Sequence, residues 1–244
     1  MVKLIKERIF CILATTKISL TKNNIKMKTK KFAVVLSGSG VYDGAEIHEA
    51  TLTMLAISRQ GGEYQCFAPD IQQHHVINHI TGEEMKETRN VLIESARIAR
   101  GNINPLSEFD GKDFDALIFP GGFGAAKNLS TVAFDGPNAK VNTEVEEAVL
   151  QMVELKKPIG ALCIAPTFIA KILKDVSVTI GNDKGTAEAI EAMGATHVET
   201  NHGDVVFDED NLVFTTPCYM LDATILDIDD GANNIVKAMM EKMV

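Results

Sequence analysis

The chain has 244 residues, of which 45% are apolar and 23% charged, and its net charge is −9. This is the composition of a folded globular protein, and it excludes a disordered, collagenous or coiled-coil chain. No stretch of about 18 apolar residues is present, so no membrane-spanning helix is expected. The acidic balance argues against binding a nucleic-acid backbone.

Charge is placed unevenly. Residues 1–31 hold nine Lys/Arg and one acid, Glu7, which leaves the acidic excess in the rest of the chain. The apolar run Ile9–Ala14 is shorter than a secretory core of about 7–15 residues. Residues 1–30 are therefore expected to be a loose basic extension. An organellar transit peptide and an over-extended start before Met27 are the other readings. A cytoplasmic protein is expected, or an organellar matrix protein if the extension is a transit peptide. The cysteines Cys11, Cys66, Cys163 and Cys218 form no CxxC pair. In a chain with a full-sized core they read as reduced thiols.

From Lys31 the chain alternates between apolar runs and helical spacing. Strands are predicted at 32–37, 64–68, 114–119, 158–163 and 176–180. Helices are predicted at about 46–59, 88–100, 143–156 and 186–193, with another directly after Cys163. Thr143 and Glu146 have the spacing of a capping box, and Val145, Val149, Met152 and Leu155 form one apolar stripe. Residues 205–207 and 212–216 look like an edge hairpin. The tail from about Met220 is helical in part, with Met239, Met240 and Met243 as packing residues. Unbroken apolar strands alternating with helices predict a doubly wound α/β sandwich whose sheet is mostly parallel. No internal repeat or long linker interrupts it, so residues 31–244 are expected to form one domain around one sheet.

Ligands of such sheets sit beyond the carboxyl ends of the strands. Three strand ends there are unusual: Gly38–Gly44, Pro120–Gly124 and Cys163–Pro166. In Ala161-Leu162-Cys163-Ile164-Ala165 small residues stand two before and two after the cysteine, as in a nucleophile elbow. Pro166 suits the first turn of a following helix. A thiol there would meet backbone N–H groups and a helix N-terminus. A free thiol of pKa ~8.5 is about 3% ionised at neutrality, and one lowered to about 5.5 is about 97% ionised. The same spacing also fits a structural cysteine on a core strand. The pair Gly121-Gly122 lets backbone approach a ligand closely and, with the N–H of Ile164, would make an oxyanion site. In Gly44-Ala45-Glu46-Ile47-His48-Glu49, the two glutamates lie one helical turn apart, so either carboxyl could shuttle protons to the sulfur. A merely charged first helical turn is the plainer reading.

These stretches resemble the PfpI-type branch of the class I glutamine amidotransferase-like superfamily, and within it the ElbB proteins. The resemblance rests on Leu36–Gly44, Cys66–Asp70, Thr88–Glu94, Pro120–Leu129, Cys163–Pro166 and Thr215–Pro217, and it runs from about Lys31 to the C-terminus. It implies a flavodoxin-like sandwich, a nucleophilic Cys163, Glu49 as its carboxyl partner, and oxyanion N–H groups from Gly122 and Ile164. It also implies a homodimer and a cofactor-free conversion of glyoxal to glycolate or a related deglycase reaction on small aldehydes. In that reaction a Cys163 thiolate adds to an aldehyde carbon while a protonated Glu49 moves protons. Glu46 and His197 are weaker candidates for the site.

Departures from the family pattern are equally informative. Many PfpI relatives carry His directly after the cysteine, where this chain has Ile164, which counts against peptidase chemistry. His202-Gly203-Asp204 is a poor match to the His-x-Glu of true glutamine amidotransferases. Ser39 stands where ElbB proteins can have a second thiol. Gly38, Gly40 and Gly44 miss the dinucleotide spacing by one residue, and Asp70 falls at the wrong distance, so no nicotinamide cofactor is expected. His75 and His79 are four apart without an HExxH or a nearby cysteine, so that segment reads as polar surface and no metal is expected. The alternative function is a non-catalytic stress protein that senses oxidants through a low-pKa Cys163.

Overall fold

In the computed structural model, which describes residues 29–243, a seven-stranded sheet forms the centre of the molecule. The readings made for residues 1–28 lie outside the described residues. The strands are β1 (Lys31–Val35), β2 (Glu63–Ala68), β3 (Ile103–Pro105), β4 (Ala116–Phe119), β5 (Ile159–Leu162), β8 (Val206–Asp208) and β9 (Val213–Thr216). Their spatial order is β3-β2-β1-β4-β5-β9-β8. All neighbours are parallel except β8 and β9, which form the expected antiparallel hairpin at one edge.

Alternation along each strand feeds two cores, because successive side chains point to opposite faces. Ala33, Val35, Leu117, Phe119, Ile159 and Ala161 enter one core. There they meet α5 (Thr143–Glu154) through Val145, Val149 and Met152, and α6 (Pro166–Leu173) through Phe168 and Ile169. Phe32, Val34, Ala116, Ile118 and Leu162 enter the other. This core is closed by α1 (Ile47–Arg59) and by α8 (Ile225–Lys242), whose Ile228, Ala232, Ile235, Val236 and Met239 are buried. Each fully buried Val, Leu, Ile, Phe or Met among them contributes roughly 1.5–3 kcal/mol. The result is the expected flavodoxin-like α/β sandwich.

Three details correct the sequence reading. Helix α5 is capped by Asn142, whose side chain accepts the N–H of Val145, and not by a Thr143–Glu146 box. Thr143 is already the first helical residue, and asparagine is among the best caps. The run 176–180 does not join the main sheet. Only β6 (Ser177–Val178) forms, and it pairs with β7 (Thr196–His197) in a separate parallel ribbon. Side chains take the backbone donors that a longer ladder would use: Ser177 N donates to Asp208 Oδ2 at 2.8 Å and Thr179 N to Thr215 Oγ1 at 2.9 Å. The described chain therefore holds two sheets, not one. The third correction concerns short elements without a periodic signal: β3, α3 (Phe123–Lys127) and α4 (Val132–Asp135). The remaining helices are α2 (Val91–Ile98) and α7 (Lys184–Ala192).

The order reverses at β1: β2 lies on one side of it and β4 on the other. Such a switch point opens a crevice at the carboxyl ends of the strands. The loops after β1 and β4 border it, and β5 places Cys163 beside them because Phe119 is in register with Ala161.

Candidate active site

Cys163 follows β5 directly and has φ 59°. A left-handed backbone at a non-glycine residue is strained by roughly 1–3 kcal/mol and must be held by its surroundings. Here Cys163 N donates to Thr216 O at 3.0 Å, and Ala165 N to Leu162 O at 3.0 Å. Ala161 and Ala165 are fully buried, so the small flanking residues are a packing requirement. The Thr167 hydroxyl donates to Ile164 O at 2.6 Å and fastens the start of α6.

The three unusual strand ends do converge. Glu46 N donates to Gly121 O at 3.0 Å, Phe123 N to Val41 O at 2.8 Å, and Gly124 N to Gly44 O at 2.9 Å. Gly122 has φ 92°, and a Cβ there would lie 2.3 Å from Glu46 N. A Cβ on Gly121 would lie 2.4 Å from Cys163 Cβ and 2.7 Å from Glu49 Oε2. Gly121→Ala is therefore expected to separate the thiol from the carboxyl. Cys163 labelling by a neutral alkylating reagent, compared in the folded variant and parent, reads this as a change of at least about threefold, since such overpacking typically costs 1–3 kcal/mol.

Glu49 sits in the first turn of α1 and is fully buried. Its Oε2 accepts the N–H of Gly121 at 2.9 Å and its Oε1 that of Tyr219 at 3.2 Å. The carboxyl also hydrogen-bonds the Cys163 thiol. Burial, followed by the charge of Glu46, pushes its pKa up to about 7, against the three hydrogen bonds. Glu46 has a different task. It caps α1, its Oε2 accepting Glu49 N at 2.7 Å, and it also lines the cavity.

The backbone N–H groups of Gly122 and Ile164 both point at the Cys163 sulfur. They do not make the resting thiol acidic. Burial first, and then the neighbouring Glu49, raise its pKa well above the ordinary value. This reverses the expected thiolate: the amide dipoles are present, but desolvation and a carboxylate outweigh them. Near neutrality the proton stays on sulfur while Glu49 stands close to half-ionised.

A cavity of about 370 Å³ opens on Cys163. Val41, Gly122, Phe123 and Ile164 line it together with Glu46, and Tyr219 and Met220 close another side. Asp183 and Thr186 border it from the N-terminus of α7. Sequence reasoning did not single out Tyr219 or Asp183. Asp183-x-x-Thr186 is a readable helix-start signal, and Tyr219 follows the motif at Thr215–Pro217. The Tyr219 hydroxyl shares a hydrogen bond of 2.8 Å with His48 Nδ1, and Cys218 lies buried next to it. His197 is not brought in. It belongs to the small ribbon, its Nε2 accepts Ile180 N at 3.4 Å, and it does not line the cavity.

The other sequence candidates have structural uses. Asp70 accepts from Asn90 Nδ2 at 2.7 Å. His79 Nε2 accepts Tyr42 N at 3.2 Å and its Nδ1 faces Ile77 O at 3.0 Å, so both ring nitrogens are engaged. Among the described residues no group of three or more His, Cys, Asp or Glu side chains is placed to hold a metal ion. Among them, too, no helix is long and apolar enough to cross a membrane.

Comparison with known proteins places this geometry. The chain is 49% identical over 221 residues to the rat "ES1 protein homolog, mitochondrial", covering 86% of this chain and 83% of the relative. It is 48% identical over 221 residues to the human "Glutamine amidotransferase-like class 1 domain-containing protein 3, mitochondrial", covering 86% and 82%. The crystal structure of an Ehrlichia chaffeensis "isoprenoid biosynthesis protein with amidotransferase-like domain" superposes with a TM-score of 0.82 at 37% identity, covering 87% of this chain and 99% of that one. Drosophila melanogaster DJ-1beta shares the fold, with a TM-score of 0.51 at 16% identity over 88% of this chain and 92% of that one. The profile described as "DJ-1/PfpI family" matches residues 40–217, a span that takes in Glu49, Gly122 and Cys163, and the chain belongs to that family.

Proposed function

We propose that the protein is a cofactor-independent glyoxalase or related deglycase, acting on small aldehydes through Cys163 and belonging to the ElbB-like branch of the family. One observation carries this reading: the Cys163 sulfur is hydrogen-bonded to the buried Glu49 carboxyl and faces the N–H groups of Gly122 and Ile164. The structural likeness to the Ehrlichia protein supports the branch.

The chemistry follows from the proton positions. As Sγ bonds to one aldehyde carbon of glyoxal, the thiol proton passes to the Glu49 carboxylate. The carbonyl oxygen is held by the two N–H groups and takes that proton, giving a hemithioacetal. Glu49 then removes the proton of the sulfur-bearing carbon and returns it to the second carbonyl carbon, while the hemithioacetal hydroxyl proton passes to the second oxygen. One carbon is thereby oxidised to a thioester and the other reduced to a primary alcohol. Water cleaves the thioester, which releases glycolate and restores the thiol.

Because Glu49 must start ionised, kcat/KM for glyoxal is expected to rise with pH through about 7 and then level. Glycolate formation followed by proton NMR across that range checks it. A flat profile, or no glycolate at any pH, would overturn the assignment. A second reading is oxidation of Cys163 to a sulfinic acid in a sensor, favoured by the same carboxyl, which once protonated can donate to a sulfinate oxygen. Stoichiometric thiol loss under peroxide without glyoxal turnover would decide for it.

The compartment we propose is the mitochondrial matrix. The basic N-terminal segment and the names of the mitochondrial relatives support this over the cytoplasm. The assembly we propose is a homodimer, which light scattering of the purified chain tests.

A further inference from the structure

Among the described residues, the cavity above Cys163 has acidic walls and no cationic side chain in its lining. Glu46 and Asp183 stand among its lining residues, and no described lysine, arginine or histidine does. Buried Glu49 adds a third acid behind the sulfur. Asp183 caps α7, accepting Thr186 N at 2.8 Å, and its bonds to Thr186 hold its carboxyl below the usual range, so it stays charged at neutral pH. Basic side chains around it are spoken for or stand outside: His48 is not part of the lining, and its Nδ1 shares a hydrogen bond with the Tyr219 hydroxyl. Lys127 donates to Tyr42 O at 3.0 Å and lies over the Phe123 ring, in an adjoining hollow. Lys184 follows Asp183 in the chain but is exposed and not part of the lining. Val41, Phe123, Ile164 and Met220 present apolar side chains, and the donors that remain, the Gly122 and Ile164 N–H groups and the Thr186 and Tyr219 hydroxyls, carry no full positive charge to offset the acids.

We infer that the cavity sorts its substrates by charge, admitting uncharged or cationic carbonyl compounds and excluding those that carry a carboxylate. The inference rests on the carbonyl-enzyme reading above and deepens it. Dicarbonyls and their adducts with amines fit the site, and glyoxylate does not. The anionic product of glyoxal conversion would be repelled by the same wall and leave readily.

Thiol chemistry tests this apart from turnover. Cys163 in the full chain is treated at neutral pH and low ionic strength with three small methanethiosulfonates: 2-aminoethyl (cationic), methyl (neutral) and 2-sulfonatoethyl (anionic). Modification of Cys163 is followed by peptide mass, and 2-mercaptoethanol gives the reference rates. The cationic-to-anionic rate ratio is expected to exceed the reference by about tenfold or more, and to fall towards it at high salt. Asp183→Asn is expected to lower the ratio by about threefold or more, while asparagine keeps the helix cap. Asp210→Asn, on the exposed hairpin turn, removes one charge from the protein's overall field and is expected to leave the ratio within about twofold, since well-separated surface charges are screened. A ratio equal to the reference, or one that both variants lower alike, overturns the inference. Failure of glyoxal turnover would sink the carbonyl reading and leave these rates untouched.

Discussion

Cys163→Ser is expected to lower glyoxal turnover by about a thousandfold or more, which is roughly 4 kcal/mol of transition-state stabilisation. The hydroxyl is close in size to the thiol and adds no bulk against Gly121. The strained φ of 59° at this position is unchanged, so the fold is expected to survive. What is lost is nucleophilicity. Serine must part with a far less acidic proton, and Glu49, with its pKa already near 7, is too weak a base to take it. Glycolate formation by proton NMR, with circular dichroism of the same sample, measures both halves. A folded serine variant that kept a tenth of the parent rate would remove Cys163 from the chemistry.

Glu49→Gln is expected to be nearly as damaging to turnover, by about a hundredfold to ten-thousandfold, and to make the fold more stable at alkaline pH. The carboxyl's pKa is 4.5 as a free group and about 7 in the folded chain. A raised folded pKa means that the folded protein holds the proton more tightly. The stabilising contribution is fully present below about 4.5 and is lost as pH rises through about 7. The shift corresponds to about 3 kcal/mol. Glutamine does not titrate. Its stability relative to the parent is therefore expected to improve by about that amount between about pH 4 and about pH 8. The absolute offset is not the test, because one of the N–H groups of Gly121 and Tyr219 would then face an amide NH₂. Urea denaturation of both proteins at two pH values gives the difference directly. An unchanged difference would mean that Glu49 ionises like an exposed carboxyl. The penalty sits on the residue the proposed reaction needs, as stability–activity trade-offs lead one to expect.

The sandwich was legible in the sequence because its strands are apolar on both faces and its helices carry continuous stripes. Val34-Val35, Leu117-Ile118 and the spacing Val145–Val149–Met152 leave few other arrangements. The place of Cys163 at a strand-to-helix turn was legible from the alanines on either side of it, and its neighbour Glu49 from the spacing Glu46–Glu49 together with the family resemblance. The protonation state of Cys163 was not. The helix start beside Cys163 is visible in Pro166, but the burial of both acid groups is a property of the packed site. His197 was a weak candidate on the expectation that a later strand would carry it to the site, but its strand pairs with the run Val176–Ile180, which has the look of a central strand and is not one. Asp208 and Thr215, distant in sequence, claim its donors and confine it to a side ribbon. Tyr219 was hidden for a related reason: its backbone N–H holds Glu49 across 170 residues of sequence.

That side ribbon and helix α7 bring Asp183 and Thr186 to the mouth of the cavity, while Cys163, Glu49 and the amides around them stand on the main sheet and the elements that follow its strands. The proposed catalytic parts and the facing wall thus stand on different sheets, and the ribbon and α7 are seated on the main core through Val176, Val178, Ile180, Ile190 and Met193. Evolution, or an engineer, can change which molecules are accepted at the outward positions around Asp183 and Thr186, provided the apolar residues that seat the segment on the core are kept.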